Sequence, residues 1–264
     1  EFRRVLFRSV GMAFGIADLS IVPVRKEQSE RSEMISQILF GELFEILEIT
    51  DKWLLVRLQV DDTEGWISRN MYLPVTDEYA ARYTEEQPML TTEVFNIVTK
   101  EGDYGNKLIV AGSVLPFFEA EKQHFSIGED SYTLVTKPRN VGMDSLRELI
   151  IEYALKYYNA PYLWGGRSPY GIDCSGLVQM AYRMAEMKLP RTVTEQVNCG
   201  QNFSFIEEAL SGDLAFFGDE TDVTHVGILW EQNRIIHASG RVRVDRVDHQ
   251  RSEERRVGKE CRSR

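Results

Sequence analysis

Cys174 stands near the end of the stretch YLWGGRSPYGIDCSG and opens a run that reads as a helix. A cysteine in the first turn of a helix lies among backbone N–H groups that have no intrahelical partner, at the positive end of the helix dipole. Both favour the thiolate, the nucleophilic form of the side chain. Asp173 is placed to cap that helix, and Ser175 to cap it or to meet a substrate. Gly165, Gly166, Gly171 and Gly176 let backbone approach closely on either side. The competing reading is a buried structural thiol, since cysteine is among the residue types most often buried.

The histidines weigh on that choice. The chain has four, His124, His225, His237 and His249. Two of them lie in THVGILW–EQN–RIIHASG, which reads as a β-hairpin. If Gly227 pairs with His237, side-chain alternation puts His225 and His237 on one face. They are then diagonal neighbours, roughly 5–6 Å apart between Cβ atoms at closest. A slip of one residue would turn the rings to opposite faces. On one face, His225 takes the proton of Cys174 and His237 holds His225 in the useful tautomer and orientation. Backbone N–H groups at the helix start, with the Tyr162 hydroxyl, would form the oxyanion site. By residue type the same three side chains could hold zinc, although a helix-start cysteine behind a glycine-rich approach suits a nucleophile better. Both histidines as ordinary strand residues is the remaining alternative. His124 and His249 have no visible partner, Cys199 reads as a packed thiol, and Asp213 reads as shaping a turn.

The elements that must position these groups follow from periodicity. Ser145 with Glu148 fits a capping box, and Leu146, Leu149, Ile150, Tyr153, Ala154 and Tyr157 follow at helical spacing. Asn159 and Pro161 stop that helix. Leu177, Val178, Ala181, Tyr182 and Ala185 mark one face of the cysteine helix. DLAFFG, THVGILW, RIIHASG and RVRVDRV then read as an antiparallel meander, an α+β arrangement. Upstream, residues 10–76 carry short strands separated by turn signals and predict a small SH3-like barrel. Residues 77–140 predict a second, looser one, ending in a linker over 137–140. The catalytic part is expected over 141–250.

The ends predict something else. EFRRVLFRS at residues 1–9 and RSEERRVGKECRSR at 251–264 resemble in-frame translations of DNA-sequencing adapters, and are expected to take no part in the fold. They carry net charges of +2 and +3, so the 241 residues between them carry −15 where the whole chain carries −10. Nothing basic is clustered for nucleic acid. No apolar run reaches the roughly 18 residues of a membrane span. Cys174 and Cys199 remain, too few for a disulfide framework, so the compartment stays open.

In order along the chain, PYLWGG…GIDCSGLVQ, LPRT…Q, GDLAFF, THVGIL and IIHASG resemble the NlpC/p-sixty family of bacterial cell-wall cysteine peptidases. The likeness spans about residues 142–250. With SH3-like regions ahead of it, the chain looks like the branch of γ-D-glutamyl-L-diamino acid endopeptidases. The resemblance implies a papain-like core with Cys174 as nucleophile, His225 as base, His237 as third polar residue and Tyr162 near the oxyanion. It implies that Trp164, Asp173 and Ser175 line the groove. It also implies that the first SH3-like domain meets a free N-terminal L-Ala, through Glu33 with Trp66 or Tyr72 as an aromatic wall. The substrate implied is a murein peptide, acted on by a monomer without cofactor or metal, with the cell envelope as the expected place and the cytoplasm open. The family's serine two residues after the arginine of LPR is Val193 here, with Thr192 or Thr194 as substitutes. The family also runs past residue 250 with a further strand, so the junction there is expected to leave a sheet edge unpaired. Another papain-like amidase or acyltransferase, or a wall-binding protein without catalysis, are the alternatives.

Overall fold

The structure, a computed structural model, describes residues 13–86, 88–136, 145–202, 208–218, 222–231, 233–247 and 255–260. The expected linker over 137–140, His249 and the first nine residues lie outside them. The chain divides into two compact units, Glu1–Thr91 with Phe95–Lys137, and Thr92–Val94 with Pro138–Arg264. Among the described residues, no helix is long and apolar enough to cross a membrane.

The first unit holds a seven-stranded sheet. Its order is Met34–Leu39, Ile21–Arg25, Glu64–Ser68, Trp53–Leu58, Leu43–Ile49, Phe14–Ile16, Leu73–Val75. Alternation sets the faces: Leu54, Val56 and Leu58 turn inward while Trp53, Leu55 and Arg57 turn outward. A four-stranded sheet follows, in the order Asn106–Val110, Phe95–Lys100, Asp130–Leu134, His124–Ile127. Met89–Leu90 pairs with Val114–Leu115 as a separate two-stranded sheet, and none of the three closes on itself among the described strands, so no closed barrel is formed where two were expected. Nor does packing divide them at residue 76. Phe40 meets Phe125 and Tyr132 edge-on at 5.9 and 5.7 Å. Helix Asp77–Glu85, capped by Thr76, buries Ala80 and Tyr83 in the same core. Gly41 has φ +76°, and a Cβ there would lie 2.0 Å from the Val114 carbonyl oxygen, so only glycine allows this approach.

The second unit begins with helix Leu146–Leu155, whose N-cap Ser145 accepts from the Glu148 N–H at 3.2 Å. The cysteine helix, Cys174–Met184, packs against it and on the strand Val223–Trp230. Nearly every residue of the cysteine helix is buried, because it has a helix on one side and the sheet on the other. The sheet has six strands, in the order Gln201–Asn202, Arg255–Glu260, Leu214–Gly218, Val223–Trp230, Arg234–Ser239, Arg241–Arg246. This is the expected meander with one correction. Arg255–Glu260, inside the run set apart by its adapter-like sequence, pairs antiparallel with Leu214–Gly218 and with Gln201–Asn202. The edge predicted to stand open is filled. Backbone donors and acceptors on a sheet edge pair with any segment that can extend beside them, whatever its side chains.

Candidate active site

The cysteine helix starts where it does because Asp173 caps it. The Asp173 carboxylate accepts from the Gly176 N–H at 2.7 Å and the Gly165 N–H at 2.8 Å. Gly176 is required by contact: a Cβ there would stand 2.3 Å from the Gly166 carbonyl oxygen. The same carboxylate takes both arms of the Arg191 guanidinium, at 3.0 Å on Oδ1 and 2.7 Å on Oδ2. Arg191 also donates to Ser175 Oγ at 2.9 Å, and the Ser175 hydroxyl donates to Asp173 Oδ1 at 3.3 Å. All three side chains are buried. Gln196 ties the neighbouring loop down by donating to the carbonyls of Ser175 and Pro190 at 3.0 and 2.8 Å. Asp173 and Ser175, expected to line the groove, thus have their polar atoms engaged inside the protein. Arg191, the arginine of LPRT, joins the site through this pairing. In the sequence it is a single arginine beside a proline, with nothing to say which carboxylate it meets.

Cys174 is buried. Burial pushes its thiol above the ordinary value, and the Asp173 charge next to it adds to that. Hydrogen bonds from the backbone N–H groups of Val226 and Ser175, and the charge of Arg191, oppose the shift without cancelling it. The helix start was expected to favour thiolate, and the net balance here favours thiol. The reason is that the helix start also carries a buried carboxylate, and desolvation outweighs the dipole. The contact with Val226 puts the sulfur against the strand that carries His225, one residue along.

The hairpin has the register in which Gly227 faces His237. A Cβ on Gly227 would lie 2.5 Å from Ile235 Cδ1 and 2.9 Å from His237 Cβ, so the glycine makes room for the ring. His225 and His237 meet edge-on, with centroids 5.1 Å apart and His225 Nε2 2.9 Å from His237 Nδ1. That contact uses Nε2 of His225 and leaves its Nδ1. His237 is engaged on both nitrogens, because its Nε2 lies 3.0 Å from Asp245 Oδ2. A ring with both nitrogens occupied has none for zinc, and among the described residues no group of three candidate ligands is placed to hold a metal. Burial, then the charges of His237 and Arg243, push His225 down to about 4. Burial also lowers His237, although the Asp245 carboxylate pulls the other way. At neutral pH both rings are therefore uncharged.

Tyr162 is half-buried, and its phenol is pushed up by burial and then by the charge a Cys174 thiolate would carry, which places it near the sulfur. Trp164 is 60% exposed. Thr192 caps the short helix Val193–Gln196 in a reciprocal pair with Glu195, so its hydroxyl is engaged. Glu33, Trp66 and Tyr72 belong to the first unit. Glu33 pairs with Lys26 at 3.4 Å. Trp66 faces Leu55 and Arg25 across strand pairs. Tyr72 packs on Phe44 at 6.0 Å.

A thiol at a helix tip, beside a sheet that carries two linked imidazoles, defines a papain-like thiol hydrolase architecture. Residues 159–260 match the NlpC/P60 family and residues 24–70 the bacterial dipeptidyl-peptidase Sh3 domain. The chain carries an NlpC/P60 domain behind an SH3-like domain. Over 107 residues it is 42% identical to the bifunctional muramidase/DL-endopeptidase CwlT of Bacillus subtilis, covering 39% of this chain and 32% of that one. It thus spans about a third of that relative's length. It is 26% identical over 254 residues to dipeptidyl-peptidase 6 of Lysinibacillus sphaericus, covering 85% of this chain and 88% of the relative. A crystal structure of an NlpC/P60 family protein from Bacillus cereus superposes with a TM-score of 0.80, covering 94% of this chain and 99% of that one at 17% identity. That likeness establishes the fold.

Proposed function

We propose that the chain is a cysteine peptidase that hydrolyses the bond between γ-D-Glu and the following diamino acid in murein peptides, releasing L-Ala-γ-D-Glu. The observation that carries the reading is the linked pair of imidazoles on the hairpin whose Val226 N–H bonds the Cys174 sulfur. His225 takes the Cys174 proton as the sulfur attacks the scissile carbonyl. The developing oxyanion meets backbone N–H at the helix start and the Tyr162 hydroxyl. Collapse expels the amine, which takes the proton from His225, and water then hydrolyses the thioester. The family supports a cell-wall peptidase. The relatives' names, a DL-endopeptidase and a dipeptidyl-peptidase, fit a cut at a D,L bond that frees a dipeptide. Glu33 as the partner of a free N-terminal ammonium belongs to the same proposal.

The test is a tripeptide L-Ala-γ-D-Glu-diamino acid, free or N-acetylated, with dipeptide release followed by mass spectrometry. Cys174→Ala is expected to abolish release, and acetylation to cut it severely. Unchanged release by Cys174→Ala refutes the mechanism. Equal cleavage of the acetylated peptide would favour a general wall amidase instead.

A further inference from the structure

Asp245 has no part in the reaction so far, yet it touches the machinery. His225, His237 and Asp245 lie on three successive strands of one sheet. His237 pairs across to Arg243, and Asp245 follows two residues on, so both project on the face that carries the imidazoles. Asp245 Oδ2 stands 3.0 Å from His237 Nε2 and accepts from Arg243 Nε at 2.8 Å. We infer that Asp245 is a positioning residue that fixes the tautomers of both histidines, and so decides which nitrogen of His225 receives the thiol proton. The inference rests on the thiol-hydrolase reading above.

The proton count runs in one direction. An ionised carboxylate only accepts, so His237 Nε2 must carry a proton. Asp245 is ionised at neutral pH: burial works against this, but the His237 hydrogen bond and the Arg243 charge hold its carboxyl below the ordinary value. In an uncharged His237, Nδ1 is then a lone pair. It can only accept, so His225 Nε2 carries the proton between the rings. His225 Nδ1 is left as a lone pair, the one atom of the set free to act as base. In the reaction the S–H bond breaks and an Nδ1–H bond forms, while the sulfur electron pair goes to the carbonyl carbon. The resulting His225 imidazolium donates through Nε2 to His237, which passes the polarisation to a full negative charge. The outside charge that bears on all three groups is Arg243, and the Phe217 ring lies against His225 at 5.8 Å.

Asp245→Ala tests this because it removes the one oxygen that His237 Nε2 and Arg243 Nε share. With no carboxylate to hold a proton on Nε2, His237 carries its proton on either nitrogen and His225 follows in step, so part of the population has a proton on His225 Nδ1 that blocks it as a base. Nitrogen-15 spectra of histidine-labelled protein are expected to show Nε2–H in both rings of the wild type and a mixture with Nδ1–H in both rings of Asp245→Ala. On the tripeptide, kcat is expected to fall by about tenfold with KM little changed. This is less than for a buried triad aspartate, because Asp245 sits one ring further from the sulfur. Asp245→Asn, whose amide oxygen can stand in the place of Oδ2 and accept from both donors, is expected to keep Nε2–H in both rings and to restore most of kcat. Arg243→Met separates this from a plain ion pair: it is expected to keep Nε2–H in both rings. Unchanged tautomers in Asp245→Ala, with or without a rate loss, overturn the inference, as does a tautomer shift that leaves kcat intact. The spectra need no substrate. A wild type that leaves the tripeptide uncut while showing the Nε2–H pair therefore refutes the functional reading and not this one.

Discussion

Cys174 works against its surroundings as much as with them. Two backbone N–H groups favour its charge, while burial and the Asp173 carboxylate oppose it. With His225 held down to about 4, the resting pair is thiol and neutral imidazole, and in the proposed reaction the proton moves as the sulfur attacks. In a Cys199→Ser, Cys261→Ser background, iodoacetamide labelling of Cys174 is expected to be slow near neutral pH. It should rise about tenfold per pH unit and still be climbing past the ordinary thiol value of 9.0. A rate that levels off below pH 7 would show a preformed thiolate–imidazolium pair instead. From sequence, the helix start announced the thiol, but the sign of its shift depended on how deeply the helix was buried. Asp245 is illegible in the sequence for a similar reason. In RVRVDRV a lone carboxylate among arginines reads as a solvated charge, and only strand pairing brings it to His237.

At the scale of elements, the hairpin was the most legible part of the chain. Gly227 lacks a side chain where His237 needs room, and that complementarity selects one register over its neighbours. Gly227→Ala would put a Cβ 2.5 Å from Ile235 Cδ1 and 2.9 Å from His237 Cβ, so one or both side chains must shift. Stability is expected to fall by about 1–3 kcal/mol in urea titration. The kcat on the tripeptide should fall by about tenfold or more, because a misplaced base loses rate steeply with distance. Wild-type kcat in the alanine variant would show that the hairpin tolerates a looser fit. The upstream strands were legible singly but not in their grouping. Alternation tells which residues of a strand face inward, and says nothing about which other sheet lies opposite. Phe40 meeting Phe125 and Tyr132 is therefore invisible in either stretch alone.

For the molecule as a whole, the paired imidazoles carry an acid liability. The unfolded chain protonates His225 near 6.5, while the folded protein resists until about 4. Between these values the unfolded state binds more protons, so stability falls as pH drops through that window and levels off below it. With the ring partly open to solvent, the loss is no more than about 2 kcal/mol. Urea unfolding at pH 7.5 and pH ~4.5 is expected to show the wild type losing more stability than His225→Gln, a difference that cancels what other groups contribute. Parallel losses would show that His225 is not the source.

Asp173 has a further consequence. Through one carboxylate it joins three stretches far apart in sequence: the glycine turn at 165–166, the start of the cysteine helix and the loop that carries Arg191. Replacements in these stretches are therefore not independent of one another. A change tolerated in one depends on what the other two supply, so the three are constrained to diverge together.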